Sequence, residues 1–386
     1  MPRHISIVFP GQGSQALKML DSFDGRKLKK YDSVIAKSIG FDLIDIIRNG
    51  PEKILNNTSI TQPAILFTSY IHYKNIIEKH NIRPNLFAGH SLGEYSALTC
   101  SDSISLEDAL KLVYNRGLLM EKAKKGSMYA IINFDFLKIK EICNDVELET
   151  NQIVSPANIN SNTQIVIAGN IKATELAVKR LKKEGAKRCI KLKVSVASHC
   201  KLMKRTASFF IKDLNKIELK MPQYEVLHNV NAKVSDDIET LKYNLTQQLV
   251  EPVKWNEIMK KISSYSGIVI ECGPGKILTT IAKSNGINNV ISSSSSAISR
   301  SNSSSKAITN STVSSESAPR SSTNEESLFT SSSPTPSCSQ TIFLTLSSIL
   351  TGHPPLIDNY FTTILTKTNK IISSYKGHHQ QKWSDR

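Results

Sequence analysis

Short apolar runs alternate along the first 290 residues with longer stretches in which apolar positions recur at helical spacing. The run Ile5–Phe9 stops at Pro10-Gly11-Gln12-Gly13-Ser14, which predicts a strand followed by a loop. A second run, Leu86–Gly89, leads into a predicted helix from about Leu92. Helical patterns cover residues 31–48, 62–80 and a segment after the predicted N-cap Ser105. Strands that alternate with helices predict an α/β fold with a largely parallel sheet.

The middle of the chain has a different order of predicted elements. Strands are predicted at 128–133, 153–158, 164–168 and 187–196, and helices at 136–143 and 173–184. The order βαββαβ is the ferredoxin-like pattern. We therefore expect residues 127–196 to form a ferredoxin-like subdomain inserted into one α/β domain made of residues 1–126 and 197–290. Later elements of that domain are predicted at 201–217, 224–230, 255–264, 267–270 and from Lys276 onward.

Residues 291–386 differ in composition from the rest of the chain. Residues 291–340 contain 22 serines, and such a segment offers little apolar surface to offset the entropy of ordering it. We expect this tail to stay outside the folded core. Two interpretations are open: an added disordered extension, or a shifted reading frame that replaced the original C-terminus.

The net charge is strongly positive. The chain carries +16, and 8 basic and 5 acidic residues follow residue 290, which leaves +13 on the predicted folded part. A nucleic-acid partner is not expected, because no stripe of Lys and Arg with interleaved aromatic residues is present. The charge indicates either an ordinary solvated surface or an acidic macromolecular partner.

Cysteine spacing and the chain start bear on cofactors and location. None of the six cysteines forms a C-x-x-C pair, and no His/Cys group has zinc-ligand spacing, so no metal is expected. The start lacks the features of a signal peptide, and the longest apolar run of the tail, around 341–350, is too short to span a bilayer. We expect a cytoplasmic protein that does not associate with membranes.

The sequence Gly89-His90-Ser91-Leu92-Gly93 matches G-x-S-x-G between a predicted strand and a predicted helix. This is the context of a nucleophile elbow, in which a sharp turn exposes the serine hydroxyl. The Leu92 amide would lie at a helix N-terminus, where free N–H groups favour a developing oxyanion. A turn serine without chemistry is the competing interpretation, and the context favours Ser91 as a nucleophile.

A nucleophilic serine needs a base, and two histidines follow Ser91 at suitable places. His199 comes after the predicted strand at 187–196, and chemistry in α/β folds gathers at the carboxyl ends of strands. His228 lies within a predicted strand. His199 is preferred, although spacing alone leaves a structural histidine open at either position.

Arg116 falls on the same helix face as Ala109 and Val113, so its guanidinium is predicted to point inward. A buried guanidinium needs a partner, usually a carboxylate bound through two hydrogen bonds. That carboxylate belongs either to a substrate or to this chain, for instance Glu94. Spacing does not separate the two.

Six segments that lie in order along the chain carry a family resemblance: Phe9-Pro10-Gly11-Gln12-Gly13-Ser14-Gln15, Gly89-His90-Ser91-Leu92-Gly93-Glu94-Tyr95-Ser96-Ala97, Arg116-Gly117, Asn158-Ile159-Asn160-Ser161, Val194-Ser195-Val196-Ala197-Ser198-His199-Cys200 and Glu271-Cys272-Gly273-Pro274-Gly275-Lys276. Together they resemble the bacterial malonyl-CoA:acyl carrier protein transacylases from about residue 4 to about residue 290. The resemblance implies an α/β-hydrolase-like parallel-sheet core with an inserted ferredoxin-like subdomain.

The resemblance also implies a function and its site. Ser91 would be the acylated nucleophile, His199 its base, and Arg116 the group that binds the malonyl carboxylate. The remaining implied residues are Gln12 and Leu92, whose backbone N–H groups would form the oxyanion hole, Gln248, whose carbonyl would orient His199, and the site-lining His90 and Asn160. The substrates would be malonyl-CoA and a holo acyl carrier protein that is acidic, with no cofactor, in a monomer that supplies fatty acid biosynthesis.

Besides the Ser-rich tail, three features depart from the family pattern. Ala197 stands where proline is usual, Glu121 stands where glutamine is usual, and the connection 120–128 is a few residues short. The Ser-rich tail is the largest departure. An inactive carrier-protein-binding remnant and a serine thioesterase or esterase are therefore kept as alternative functions.

Overall fold

The computed structural model describes residues 4–194 and 196–294, so the tail predictions for 295–386 lie outside the described residues. A five-stranded sheet, in the order β7-β2-β1-β8-β9, has parallel pairing between all neighbours. Its strands are β1 (Ile5–Phe9), β2 (Leu86–Gly89), β7 (Glu225–Leu227), β8 (Ile268–Glu271) and β9 (Val290–Ser292). The predicted α/β fold with a parallel sheet is confirmed.

A second, four-stranded sheet is antiparallel and has the order β4-β5-β3-β6. Its strands are β3 (Ser127–Ile132), β4 (Val154–Ser161), β5 (Gln164–Gly169) and β6 (Arg188–Lys191). Two helices, α8 (Phe136–Thr150) and α9 (Ile171–Lys183), connect these strands and share a buried apolar cluster with the sheet. The last strand is shorter than the predicted 187–196, because its pairing with β3 ends at Lys191.

The other helices surround the parallel sheet. Their bounds are α1 (Gly25–Lys29), α2 (Asp32–Ile39), α3 (Leu43–Asn49), α4 (Glu52–Leu55), α5 (Thr58–His80), α6 (Gly93–Cys100), α7 (Leu106–Glu121), α10 (Lys204–Leu214), α11 (Ile238–Gln247), α12 (Trp255–Ser264) and α13 (Ile277–Ser284), with a 3-10 turn at Lys201–Met203 before α10. None of the helices in the described residues is long and apolar enough to cross a membrane.

The parallel strands are short continuous apolar runs because both of their faces are covered by helices. Ile7 and Phe9 belong to the apolar cluster on one face of the sheet, while Val8 belongs to the cluster on the other. All three side chains are fully buried. This burial explains why the first strand was recognisable from sequence.

The predicted helix over 31–48 is wrong as a single element. The structure divides it into α2 and α3, because Gly40 ends α2 in the left-handed region with φ 81°. Asp42 then caps α3 by accepting a hydrogen bond from the Asp45 amide at 2.8 Å. The cap of α7 is confirmed: the Ser105 side chain accepts a hydrogen bond from the Asp108 amide.

Glu121 has a structural contact that the sequence did not indicate. It lies at the end of α7, and its Oε1 accepts hydrogen bonds from the Ser59 amide at 2.8 Å and the Ser59 hydroxyl at 3.0 Å. Ser59 is in the first turn of α5, whose own N-cap, Asn57, makes no side-chain capping bond. Glu121 therefore satisfies a free amide at the positive end of α5.

Candidate active site

Ser91 lies on a sharp turn between β2 and α6, with φ 52° in the left-handed region. A Cβ on Gly89 would come within 1.8 Å of the Gly93 carbonyl carbon, and one on Gly93 within 2.0 Å of the Phe9 carbonyl oxygen. Both glycines are therefore required for the strand and helix to approach this closely. The turn has the strained geometry that a nucleophile elbow needs.

Asn229 stabilises this turn through two hydrogen bonds, and the sequence analysis did not predict it. Its Oδ1 accepts a hydrogen bond from the Ser91 amide at 2.7 Å, and its Nδ2 donates to the Gly89 carbonyl at 2.6 Å. Asn229 follows β7, which lies next to β2 in parallel. Asn229 could have been predicted from its place in the sequence, because it is a polar residue just after a strand and that strand lies beside β2.

His199 and Ser91 form a hydrogen-bonded dyad. The Ser91 hydroxyl donates to Nε2 of His199 at 2.8 Å, and Nδ1 of His199 donates to the Gln248 carbonyl at 2.6 Å. Because a carbonyl only accepts, the second bond fixes the tautomer in which Nε2 is free to take a proton. In this way Gln248 occupies the place that a carboxylate has in a Ser-His-Asp triad.

The reason given from sequence for preferring His199 is wrong, although the structure does bring His199 to Ser91. The strand before it, β6, belongs to the antiparallel sheet and ends at Lys191, so His199 lies on the following loop, with φ 60°. His228 lies elsewhere, with Nδ1 donating to Glu94 at 2.6 Å.

Arg116 is 1% exposed, and neutral amides hold its guanidinium. One terminal nitrogen donates to Oε1 of Gln62 at 2.8 Å and the other to Oε1 of Gln248 at 3.0 Å. The salt bridge to Glu94 that the sequence left open is not formed, because Glu94 accepts from His228 instead. The inward direction predicted for Arg116 is correct.

Gln62, on α5, was also missed by sequence reasoning. It is fully buried and reaches Arg116 because α5 and α7 approach closely where Gly117 meets Ser59. A Cβ on Gly117 would lie 2.5 Å from the Ser59 Cα. The residues Gln62 and Arg116 are 54 positions apart, and no local pattern links them.

A cleft of about 360 Å³ opens over the dyad. Its lining includes the residues predicted for the site, namely Gln12, His90, Ser91, Leu92, Arg116, Asn160 and His199. Gln248 is fully buried behind it and contacts the site through Arg116 and His199. The structure thus brings all eight predicted site residues to one place.

Two pairs of lining residues complete the cleft. Nε2 of His90 donates to Oδ1 of Asn160 at 2.9 Å, which directs the imidazole toward Asn160. Burial lowers the pKa of His90. Gln12 lies on the loop after β1 and Leu92 at the N-terminus of α6, where helix amides are free to bind an anion.

No group of three or more His, Cys, Asp or Glu side chains that could hold a metal ion occurs in the part of the chain that the structure describes. The cleft contains the hydroxyl–imidazole dyad and the guanidinium of Arg116. In a dyad of this kind the histidine activates the serine, which then accepts an acyl group from a substrate. The guanidinium can bind an acyl group that carries its own carboxylate.

Burial, and secondarily the positive charge of Arg116, lowers the pKa of His199 to about 3. A base must be unprotonated, so activity falls only when the pH drops through its pKa. We expect the rate constant for acylation of Ser91 to stay level from pH 8 to about 5. A stopped-flow or quenched-flow pH series measures this, and a decline with a midpoint near the ordinary histidine value of about 6.5 would contradict it.

Comparisons with known proteins agree with this fold and cleft. A family model described as the acyl transferase domain matches residues 7–313. The malonyl CoA-acyl carrier protein transacylase of Haemophilus influenzae is 40% identical over 292 residues, which cover 73% of this chain and 92% of that protein. The chain therefore belongs to the malonyl CoA-acyl carrier protein transacylase family of acyltransferases.

Solved structures give the same result. The malonyl-CoA:acyl carrier protein transacylase of Xanthomonas oryzae superposes with a TM-score of 0.73 at 34% identity, covering 76% of this chain and 95% of that one. A type II PKS acyl-carrier protein has been solved in complex with its malonyl-transacylase. That structure matches with a TM-score of 0.71 at 40% identity, covering 75% of this chain and 94% of that one.

Proposed function

We propose that the protein transfers the malonyl group from malonyl-CoA to the phosphopantetheine thiol of an acyl carrier protein, which supplies malonyl units for fatty acid biosynthesis. The observation that carries this proposal is one cleft that contains both the Ser91–His199 dyad and the buried guanidinium of Arg116. The dyad accounts for acyl transfer, and the guanidinium accounts for an acyl group with a terminal carboxylate.

In the first half-reaction, Nε2 of His199 takes the proton of the Ser91 hydroxyl as the oxygen attacks the thioester carbon. The negative charge that develops on the thioester oxygen is held by the backbone N–H groups of Gln12 and Leu92. A donor of this kind lowers the barrier by about 3–4 kcal/mol. The carbon–sulfur bond then breaks, and the CoA sulfur leaves with the proton that His199 returns.

The second half-reaction runs through the same groups in reverse. His199 takes the proton of the phosphopantetheine thiol, and the sulfur attacks the malonyl ester of Ser91. The ester oxygen leaves with that proton, which restores the serine. Arg116 binds the malonyl carboxylate in both halves, and Gln248 keeps the imidazole in one tautomer by accepting from Nδ1. These steps use no metal or redox cofactor.

The surface and the fold support this reaction with a protein substrate. Residues 1–290 carry a net charge of +13, which would attract an acidic carrier protein and raise the rate at which the two proteins associate. In one solved structure that this chain resembles, a type II PKS acyl-carrier protein is in complex with its malonyl-transacylase. A cytoplasmic monomer suits such an exchange between two soluble substrates.

The domain plan predicted from sequence is part of the proposal. The elements β3-α8-β4-β5-α9-β6 and their strand order support a ferredoxin-like subdomain at 127–196. The parallel sheet with an elbow after β2 supports an α/β-hydrolase-like domain formed by 1–126 and 197–290.

The test is to follow both products when the purified protein is given malonyl-CoA and holo acyl carrier protein. We expect malonyl-carrier protein to form faster than free malonate. Predominant release of malonate would assign the protein to the thioesterases instead. Formation of neither product by folded protein that still binds the carrier would assign it to inactive remnants.

A further inference from the structure

Glu94 is a buried carboxylate that the acyl-transfer steps do not use. It lies in the first turn of α6 and is fully buried. Oε1 accepts a hydrogen bond from His228 at 2.6 Å, and Oε2 accepts from Nε2 of Gln248 at 2.7 Å and from the Asn229 amide at 3.1 Å. A buried carboxylate with this many donors needs a positive charge nearby or a function that justifies its burial.

Arg116 presents the complementary case, because it is a buried cation without a carboxylate beside it. Among the described residues no acidic side chain forms a salt bridge with Arg116, and its hydrogen-bond partners are the amides of Gln62 and Gln248. Its guanidinium also lies 5.3 Å from the centre of the Tyr95 ring. Neutral acceptors alone are a poor balance for a buried guanidinium.

One side chain joins the two charges. Oε1 of Gln248 accepts from Arg116 at 3.0 Å, while Nε2 of the same amide donates to Glu94 at 2.7 Å. The amide dipole thus points its negative end at the cation and its positive end at the anion. If the amide were reversed, its oxygen would face the Glu94 carboxylate and its NH₂ group would face the Arg116 guanidinium, and neither contact is a hydrogen bond. The two charges therefore fix the orientation of Gln248.

A chain of hydrogen bonds runs toward Glu94 from the other side, through His228, Ser235 and Asn244. Because a carboxylate only accepts, Nδ1 of His228 carries the proton, and Nε2 then accepts from the Ser235 hydroxyl at 2.7 Å. Ser235 in turn accepts from Asn244 at 3.0 Å. Each member donates toward the carboxylate, which stabilises its negative charge.

We propose that Glu94 is the counter-ion of Arg116 and acts on it through the Gln248 amide. A carboxylate in direct contact would occupy the guanidinium N–H groups that a substrate carboxylate needs. The amide spacer balances the charge of the buried cation and leaves those donors to the cleft. Glu94 is thereby a positioning residue for Arg116, and the inference rests on the proposed function only in the identity of the group that Arg116 receives.

The counter-ion relation predicts a particular pattern of stability, which a double-mutant cycle measures. Glu94→Gln keeps the shape and an acceptor oxygen but leaves Arg116 without a negative charge. Arg116→Gln has the opposite effect, and the double variant removes both charges. We expect the double variant to unfold at a temperature about 2–4 °C above that of Glu94→Gln. Additive losses, with the double variant below both single variants, would overturn the proposal.

Glu271 provides a matched control for this cycle. It is also a fully buried glutamate, but its oxygens accept from the amides of Leu278 and Thr279 at the start of α13. Glu271→Gln combined with Arg116→Gln should lose stability additively. Should Glu94→Gln alone fail to fold, the proposal still requires that the double variant with Arg116→Gln folds, and a double variant that also fails would overturn it.

Malonyl-CoA supplies a second measurement that a merely structural role would not change. Malonylation brings a carboxylate to Arg116, so it should raise the melting temperature of Glu94→Gln more than that of the protein without substitutions. Equal shifts would contradict the counter-ion role. Intact mass spectrometry reports the malonyl adduct separately. If the protein without substitutions forms no adduct, the proposed function fails, while the stability cycle still tests Glu94.

Discussion

Replacing Arg116 with alanine is expected to lower the rate of malonyl transfer by about 10²–10³-fold. The guanidinium is buried at the cleft, and breaking a buried charge pair costs about 3–5 kcal/mol, which is enough for a loss of this size. Transfer of an acetyl group, which has no carboxylate, should fall much less. Steady-state rates with malonyl-CoA and acetyl-CoA measure the two effects.

The ratio of the two rates is the decisive quantity for Arg116. A loss confined to malonyl transfer assigns Arg116 to the substrate carboxylate, whereas equal losses for both acyl groups would show a purely structural role. Arg26→Ala is the matched control, because the Arg26 side chain is 92% exposed and should leave both rates unchanged. Unaltered preference for malonyl-CoA in Arg116→Ala would contradict the account.

Replacing His199 with alanine is expected to reduce acylation of Ser91 by about 10⁴–10⁶-fold, the order of loss found when the histidine is removed from a Ser-His-Asp triad. The effect is large because Nε2 is the only imidazole nitrogen of the described residues that lies at hydrogen-bond distance from the Ser91 hydroxyl. Rapid-quench measurement of the acyl-enzyme gives the rate without interference from the second half-reaction.

His72→Asn is the control for the His199 experiment. His72 is likewise buried, and burial lowers its pKa to about 4, but it packs against Phe23 and does not line the cleft. Its replacement should affect stability and leave acylation close to normal. Acylation of His199→Ala within tenfold of the normal rate would reject His199 as the base.

The parts of the site that follow from the residues alone, without the family resemblance, are those encoded locally. The elbow at Ser91 depends on two glycines within five residues, and both meet backbone atoms that leave no room for a side chain. The inward direction of Arg116 followed from helical spacing alone. Such features need no knowledge of how distant segments pack, so the sequence was sufficient to predict them.

The parts that it missed depend on pairings between distant segments. Asn229 contacts the Ser91 amide across 138 positions, and Gln62 contacts Arg116 across 54. A salt bridge between Glu94 and Arg116 was left open for the same reason, since His228, the residue that Glu94 contacts instead, lies 134 positions away from it. The amide of Gln248 separates Glu94 from Arg116, and nothing in the spacing of charged residues predicts an amide between them.

A local turn accounts for one of the differences in secondary structure. A glycine in the left-handed region divides the helix predicted over 31–48, although its apolar positions continue the helical pattern. The helix α11 and the strand β9 were not predicted; α11 carries Gln248 at its C-cap, so this omission also hid how Gln248 reaches the site.

Ser91 is expected to carry the malonyl group during transfer. Intact mass spectrometry of the full chain after treatment with malonyl-CoA, followed by peptide mapping, tests it most directly. We expect one malonyl adduct on Ser91, which is absent from Ser91→Ala and is lost when holo acyl carrier protein is added. Folded protein without an adduct, or with an adduct that persists in Ser91→Ala, would contradict it.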